Sequence, residues 1–376
     1  MKILHFSDTH LGFSDLEKVS PEGVNRREQD FYDAFAFVID KALESRPDLI
    51  IHTGDFFHRA SPPNRPLIFA LEQLRRLSDV SIPLVVIAGN HSTPKTIATS
   101  PILRAFRTFR HVYPAFSQQF EVFEFGKLAV HAFPHINDRI IQLDLLKKLG
   151  PRSGKINILM LHTSIGKKFM MDEYGEQIFP DEFTKTLEQF DYIALGHWHN
   201  FQKVSGAGNA WYCGSTERMS ESEADSEKGF FFLDTTELGK PKFHPVPARP
   251  WFRIEVKDCS GKSESELAEE YIRETKKLGD PDSILTLKFR DLLPDQAIAH
   301  SNRRILETIP GFFYVHIRRE YSGQAAEPGS IVRQTESIEN LLQGFIHKEI
   351  DNKPDADRLS QIAREYLHSH NLEAKG

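Results

Sequence analysis

Five short apolar runs in the first 200 residues each end in histidine, aspartate, asparagine or glycine, and no other feature constrains the fold as strongly. The runs are residues 2–6, 49–52, 84–88, 156–161 and 192–195. Runs of four to six residues rich in Ile, Leu and Val are typical of strands buried on both faces. The polar groups that follow them are Ser7-Asp8-Thr9-His10, Thr53-Gly54-Asp55, Gly89-Asn90-His91, His162-Thr163-Ser164 and Gly196-His197-Trp198-His199.

Helical patterns lie between these runs. Residues 31–43 and 66–77 each place apolar side chains on one stripe at a spacing of three and four. Alternating strands and helices predict an α/β domain. In open α/β sheets, ligands bind beyond the carboxyl ends of the strands. We therefore expect the polar groups to meet at one edge and form a single site.

The residue types of that site predict metal binding. Oxygen and imidazole ligands without sulfur suit manganese, iron or zinc, and of these we expect manganese. Seven ligands are too many for one metal, but they are enough for two divalent ions if Asp55 bridges them. Gly54, Gly89 and Gly196 would let the backbone approach closely. The predicted ligands are Asp8, His10, Asp55, Asn90, His162, His197 and His199.

Composition limits the class of protein. A length of 376 residues suggests two domains. The 47 basic and 53 acidic residues give a formal charge of -6, which excludes wholesale polybasic adhesion to nucleic acid but leaves room for a local basic groove. Two cysteines make no disulfide framework.

No apolar stretch reaches the roughly 20 residues of a membrane span, and the first ten residues lack a signal peptide's apolar region, so we expect a cytoplasmic protein.

The same motifs carry a resemblance. Asp8-x-His10, Gly54-Asp55, Gly89-Asn90-His91, His162 and Gly196-His197-x-His199 resemble the signature of the calcineurin-like metallophosphoesterases. Gly54-Asp55-Phe56-Phe57-His58, Pro62-Pro63, Gly214-Ser215-Thr216-Glu217-Arg218 and Lys228-Gly229-Phe230 narrow it to the family of SbcD-type nucleases of DNA double-strand-break repair.

That resemblance implies a fold and a division of the ligands. The fold is an α/β sandwich of two β-sheets flanked by helices. Metal one would be held by Asp8, His10, Asp55 and His199. Metal two would be held by Asp55, Asn90, His162 and His197.

Two further histidines gain catalytic roles from the resemblance. His91 resembles the family's general acid, which protonates the leaving 3′ oxygen, and imidazole suits this because it titrates near neutral pH. His58 resembles a second histidine that handles the scissile phosphate; the alternative is a histidine that caps the turn after Asp55. The family usually has aspartate after Asn-His, whereas this chain has Ser92. Serine brings no charge to stabilise a protonated His91, so we predict that Ser92→Asp changes the pH–rate profile.

A basic stretch follows His91. Residues 92–120 contain no acidic residue. Ser100 and Pro101 predict a helix start, with Ser100 as N-cap and Pro101 at the first helical position. The arginines spaced by three would then face DNA phosphates, or simply solvent. The DNA-binding candidates are Lys95, Arg104, Arg107, Arg110, Arg59 and Arg65.

The second half of the chain predicts three further parts. Strands at 251–256, 284–289 and 312–317 and helices at 264–278 and 296–309 predict a small α+β domain, which by resemblance is a capping domain that shapes DNA access. We place the nuclease domain at 1–247, the capping domain at 248–321, a linker at 322–332 and a helical hairpin at 333–376.

By resemblance the hairpin binds the SMC-like ATPase SbcC; the alternative is packing on its own chain. The expected contact residues are Ile338, Leu342, Phe345, Leu359, Ile362 and Tyr366.

These features together predict a metal-dependent DNA nuclease of break repair. The resemblance implies 3′-to-5′ exonuclease action on duplex ends and endonuclease action on single strands and hairpins, a homodimer, and a cytoplasmic, nucleoid-associated location. Two alternatives remain open. One is a small-molecule phosphodiesterase or phosphatase on the same core, and the other is a non-catalytic DNA-end tether.

Overall fold

A computed structural model describes residues 1–94, 99–116, 118–166, 178–323, 346 and 358–362. The chain divides into two compact units, residues 1–320 and residues 321–376. Among the described residues, no helix combines the length and the apolar character needed to cross a membrane.

The first unit contains three sheets. In chain order their strands are β1 (Lys2–Phe6), β2 (Leu49–His52), β3 (Leu84–Ile87), β4 (Val112–Ala115), β5 (Glu121–Phe125), β6 (Leu128–Ala132), β7 (Ile156–His162), β8 (Tyr192–Gly196), β9 (Gln202–Lys203), β10 (Ala210–Tyr212), β11 (Gly229–Asp234), β12 (Lys242–Pro245), β13 (Trp251–Val256), β14 (Ile284–Leu292) and β15 (Tyr314–Tyr321). The helices are α1 (Arg26–Ser45), α2 (Asn64–Asp79), α3 (Arg139–Leu146), α4 (Thr184–Leu187), α5 (Glu264–Leu278), α6 (Pro294–Ala299) and α7 (Asn302–Thr308).

Two six-stranded sheets build the main body. The first has the order β12-β11-β1-β2-β3-β4, and the second has the order β5-β6-β7-β8-β10-β9. Strands β1, β2, β3 and β4 are parallel to one another, as are β6, β7, β8 and β10. All five apolar runs form strands at the centre of these sheets, as the sequence predicts, so their carboxyl ends meet at one edge.

Strand β7 shows why the apolar runs are continuous rather than alternating. Ile158 and Met160 pack into the core shared by the two sheets, whereas Leu159 and Leu161 pack into a second core with side chains of α3 and α4. Successive side chains of a strand point to opposite faces, so a strand covered on both faces must be apolar throughout. This confirms two β-sheets flanked by helices.

Helices α1 and α2 lie where the sequence predicts them, each two or more residues longer at both ends. The side chain of Asn25 caps α1 by accepting hydrogen bonds from the backbone N–H groups of Arg27 and Glu28. Buried apolar side chains such as Phe35 and Leu74 join the same core as the first sheet. The two helices therefore cover that sheet with one amphipathic face each.

The predicted helix start at Ser100 is wrong. Residues Ile102–Thr108 form a 3-10 helix whose N-terminal flanking residue is Pro101, and no side chain caps it. The three-residue period of this helix aligns Leu103 and Phe106, which are both buried. Burial of this pair in the core favours the tighter helix over an α-helix.

Residues 251–321 form a smaller body around the sheet β13-β14-β15. Helix α5 has the predicted bounds, begins with a Ser263–Glu266 capping box and ends at Gly279, which has a φ of 43°. The predicted helix 296–309 is wrong, because α6 ends at Ala299 and Ser301 caps the separate helix α7. The strand predicted at 312–317 begins later, at Tyr314.

Candidate metal centre

The carboxyl ends of β1, β2, β7 and β8 bring six of the seven predicted ligands together, and the loop after β3 adds Asn90. Asp8, His10, Asp55 and His162 are buried, His197 and His199 are half-buried, and Asn90 is exposed. One side of the cluster is thus packed in protein and the other faces solvent. A site of this shape is able to admit a large substrate from one direction.

The first group of ligand atoms centres on His10 and His199. Their Nε2 atoms lie 3.2 Å apart, and Asp8 Oδ1 lies 4.0 Å from His199 Nε2. Glu223 Oε1 accepts a hydrogen bond from His199 Nδ1 at 3.0 Å, which leaves the Nε2 lone pair directed at His10. Two imidazole nitrogens that face each other at this distance fit the donor set of one cation, because neighbouring ligands of an ion with bonds of about 2.1 Å lie about 3 Å apart.

The second group centres on His162. Its Nδ1 donates to the backbone carbonyl of Thr53 at 2.8 Å, so Nε2 is the atom that faces Asn90 Oδ1 at 2.9 Å and Asp55 Oδ2 at 3.1 Å. The ring of His197 lies 5.2 Å from that of His162. Once His162 Nε2 has lost its proton, three acceptor atoms converge on one point, as in the donor set of a cation.

Asp55 lies between the two groups. Its Oδ2 is 3.1 Å from His162 Nε2 and 3.9 Å from His10 Nε2, and its Oδ1 accepts from the backbone N–H of His91 at 2.9 Å. Burial would raise the pKa of this carboxyl, but His162 and His10 outweigh burial and hold the pKa well below its ordinary value. Burial likewise opposes the protonation of His162, yet Asp55 raises the pKa of this imidazole to about 9. In the absence of a cation a proton thus supplies the charge that Asp55 needs, and a bound cation would replace that proton.

The backbone conformation and the positions of the glycines allow the predicted ligands to lie close together. Asp8, His10, Asp55 and His197 all have a positive φ, between 39° and 97°. Such strained conformations concentrate at functional sites. A Cβ on Gly89 would lie 2.2 Å from Asp55 Oδ1, as the sequence predicts from the need for close approach.

His91 and His58 stand beside the first group at the open edge. Their rings stack with centroids 5.2 Å apart and planes 29° apart. His91 Nδ1 donates to the backbone carbonyl of His58 at 2.8 Å, so its Nε2 is available to a ligand in the opening. Burial, followed by the charges of His91 and Arg59, lowers the pKa of His58 to about 4, so His58 is neutral at neutral pH.

The hydroxyl group of Ser92 makes no hydrogen bond to the ring of His91. Its Oγ is buried and has no hydrogen-bond partner among the described residues. The carbonyl of His58 occupies the Nδ1 side of His91 instead. A backbone group, which sequence motifs do not report, thus orients this ring.

The structure places the predicted DNA-binding arginines at the protein surface. Arg59, Arg65, Arg104, Arg107 and Arg110 are exposed. Arg107 pairs with Glu121 at 3.3 Å and lies 4.6 Å from the centre of the Phe116 ring, and Arg65 lies 3.5 Å from Glu28. Arg59 follows His58 directly and is the candidate nearest in sequence to the site. Lys95 lies outside the described residues.

Sequence reasoning missed Glu223. It stands in the run Ser220-Glu221-Ser222-Glu223-Ala224-Asp225-Ser226-Glu227, where acidic residues alternate and no spacing distinguishes one from another. Its role becomes visible only from the contact with His199, 24 residues earlier.

These features define a two-sheet phosphoesterase with an edge site rich in histidine and carboxylate. Residues 1–201, more than half of the chain, match the family described as calcineurin-like phosphoesterase, and the chain belongs to that family. Members of this family use divalent metals, and the donor set described above fits that use.

Among curated proteins the chain is similar to the DNA double-strand break repair protein Mre11 of several archaea. It is 34% identical over 231 residues to that of Sulfurisphaera tokodaii, a match that covers 60% of this chain and 56% of the relative. It is 32% identical to that of Sulfolobus acidocaldarius, with 62% and 60% covered. It is 32% identical to that of Thermoplasma acidophilum, with 67% of each chain covered. The chain therefore spans less than two thirds of the length of the first two relatives.

Proposed function

We propose that this protein is a metal-dependent nuclease of DNA double-strand-break repair. The observation that carries the proposal is the arrangement of seven oxygen and imidazole ligands beside the stacked pair of His58 and His91. The names of the Mre11 relatives support DNA as the substrate. A phosphatase for small molecules has no evident need for two extra histidines at the open edge.

In this proposal Asp8, His10, Asp55 and His199 hold one divalent cation, and Asp55, Asn90, His162 and His197 hold the other. Manganese is the cation that we propose. Two such ions supply the positive charge and Lewis acidity that favour in-line attack on a phosphodiester.

The other roles in the proposed cleavage are played by side chains of the protein. His91, with Nδ1 on the carbonyl of His58, presents Nε2 to the opening and donates a proton to the leaving 3′ oxygen. His58 is neutral at neutral pH, so it binds the scissile phosphate through an N–H hydrogen bond rather than through a charge. Arg59, which is exposed beside it, lies in position to attract the next phosphate along the strand.

The test is cleavage of an end-labelled blunt duplex by the purified protein with manganese. We expect shortening from the 3′ ends that EDTA abolishes and that His91→Ala reduces by roughly 100-fold or more, the usual contribution of a general acid. Lys148→Ala, an exposed change near the opposite ends of the strands, is the matched control. Activity on a small phosphodiester but not on DNA would support the small-molecule alternative, and DNA binding without any cleavage would support the tether.

We also propose that residues 333–376 bind the SMC-like ATPase partner, as a helical hairpin in a groove of that partner. Leu359 and Ile362 lie in a short helical segment and are 45% and 54% exposed, as unpartnered contact residues would be. Ile338, Leu342, Phe345 and Tyr366 lie outside the described residues. Truncation after Ser330 should abolish co-purification with the ATPase and leave manganese binding intact; unchanged co-purification would contradict this assignment.

The proposal also covers the domain bounds, the oligomeric state and the location of the protein. We propose domain bounds at 1–247 and 248–321, a linker at 322–332, a homodimer, and a nucleoid-associated location. The sheet β13-β14-β15 has its own apolar core, which supports a separate capping domain.

A further inference from the structure

Three acidic residues of one turn point in three different directions. Glu221 pairs with Arg318 at 2.7 Å, and Asp225, 76% exposed, pairs with Arg253. Glu223 alone points inward, and its side chain is 8% exposed. A carboxylate is rarely buried without a partner, so the surroundings of Glu223 should explain why it is there.

Glu223 is held by a buried lysine. Lys228 Nζ, with a side chain that is fully buried, lies 2.5 Å from Glu223 Oε2. The same ammonium group donates to the backbone carbonyl of His199 at 2.9 Å. Glu223 Oε1 accepts from the ring of His199 at 3.0 Å. One ion pair therefore fixes both the ring and the backbone of His199.

This arrangement determines which nitrogen of His199 is available. Because Nδ1 donates to Glu223, Nε2 keeps its lone pair, and that lone pair faces His10 Nε2 at 3.2 Å. The side chain of His199 is 22% exposed, so without this bond solvent would allow the ring to rotate. Lys228 offsets the charge of the Glu223 carboxylate.

We propose that Glu223 and Lys228 are positioning residues that hold His199 in the tautomer and orientation required to bind one divalent cation. The inference rests on the proposed function of His199 as a ligand. Carboxylate partners of ligand histidines fix the ring and raise its basicity, and their loss costs about 10- to 100-fold in metal affinity. Because Glu223 contacts His199, and His199 is a proposed ligand of one cation and not of the other, its loss should weaken one cation and leave the other unchanged.

The test is titration of the full-length metal-free protein with Mn²⁺ by calorimetry. Wild-type protein should bind two ions. Glu223→Ala should weaken one of them by about 10- to 100-fold and leave the other within about twofold. Glu223→Gln keeps an oxygen that accepts from Nδ1, so it should recover part of the loss. Glu221→Gln, on the same turn but directed at Arg318, is the matched control and should bind both ions as wild type does.

Wild-type affinities in Glu223→Ala would overturn the proposal. Equal weakening of both ions in Glu223→Ala and Glu223→Gln would overturn it too, because that result indicates a general structural role. Circular dichroism of the metal-free variants checks their folding, and Glu223→Gln carries the test if Glu223→Ala does not fold. The readout does not depend on DNA: a wild type that binds two ions but cuts no DNA would refute the proposed nuclease and leave this inference standing.

Discussion

His5 and His52 lie in the core beside the metal centre, and neither joins it. His5 contacts the hydroxyl groups of Tyr192 and Thr53 at 3.0 and 3.1 Å, and His52 contacts that of Thr9 at 3.1 Å. Burial lowers the pKa of each imidazole to about 3. Both are therefore neutral in the folded protein at neutral pH.

This burial makes stability depend on pH. The pKa of His5 is about 3 in the folded protein and 6.5 in the unfolded chain. The stabilisation is present above pH 6.5 and is lost as pH falls toward 3, because only the unfolded chain takes up the proton. We expect the free energy of unfolding of metal-free wild type to fall from pH 7 to pH 5 by roughly 2 kcal/mol more than that of His5→Gln. Urea denaturation at both pH values measures this, and parallel curves would contradict it.

A substitution of Ser92 tests whether its hydroxyl group contributes to stability or to the orientation of His91. Its buried Oγ has no hydrogen-bond partner among the described residues, so its removal leaves no donor or acceptor unsatisfied. Because an unpaired buried hydroxyl is destabilising, we expect Ser92→Ala to raise the free energy of unfolding by about 1 kcal/mol and to leave the pH dependence of cleavage unaltered. A loss of activity in Ser92→Ala would instead give this hydroxyl a part in the orientation of His91.

At the scale of elements, the 3-10 helix Ile102–Thr108 changes how the basic stretch is presented. Its threefold period places Arg104 and Arg107 along one exposed line, and Leu103 and Phe106 along a separate buried line. Arg110 follows the end of the helix and is not fixed to that line. The charged face is thus narrower than an α-helix would make it.

Charge reversal of this line tests its contact with DNA. If Arg104 and Arg107 each neutralise a phosphate, Arg104→Glu with Arg107→Glu should reduce the slope of log affinity against log salt by roughly 1 to 2. Fluorescence anisotropy with a labelled duplex at several salt concentrations measures the slope. Lys147→Glu with Lys148→Glu, just beyond α3 and before β7 begins, is the matched control. An unchanged slope in the arginine variant would remove this helix from the DNA-binding surface.

At the scale of the molecule, the metal centre joins strands from both sheets. Asp8 and Asp55 follow strands of the first sheet. His162 is the last residue of a strand of the second sheet, and His197 and His199 follow another strand of that sheet. A cation bound there links the two sheets and counters the charge of two buried carboxylates. It should therefore stabilise the folded state as a whole, by an amount set by its concentration relative to its dissociation constant.

Thermal unfolding with and without metal tests this link. Manganese at about 100 times its dissociation constant should add about 2.7 kcal/mol per site and raise the Tm by several degrees over the protein in EDTA. Asp55→Asn, which removes the charge between both groups, should lose most of that increase. Equal Tm values with manganese and with EDTA would show that the site does not bind the ion.

The sequence by itself determined five central strands of the two main sheets, the edge at which the polar groups meet, and the chemical types of the ligands. These follow from local rules, because continuous apolar runs are buried on both faces and parallel strands share one edge for their carboxyl ends. Tertiary structure alone decided the partner of His199, the carbonyl that orients His91, and the 3-10 geometry of residues 102–108. Each of these depends on which atoms of distant segments come within hydrogen-bonding or packing distance, as His10 and His199 do across 189 residues. The direction of a hydrogen bond and the fit of a buried side chain are properties of the assembled core, and no pattern along the chain encodes them.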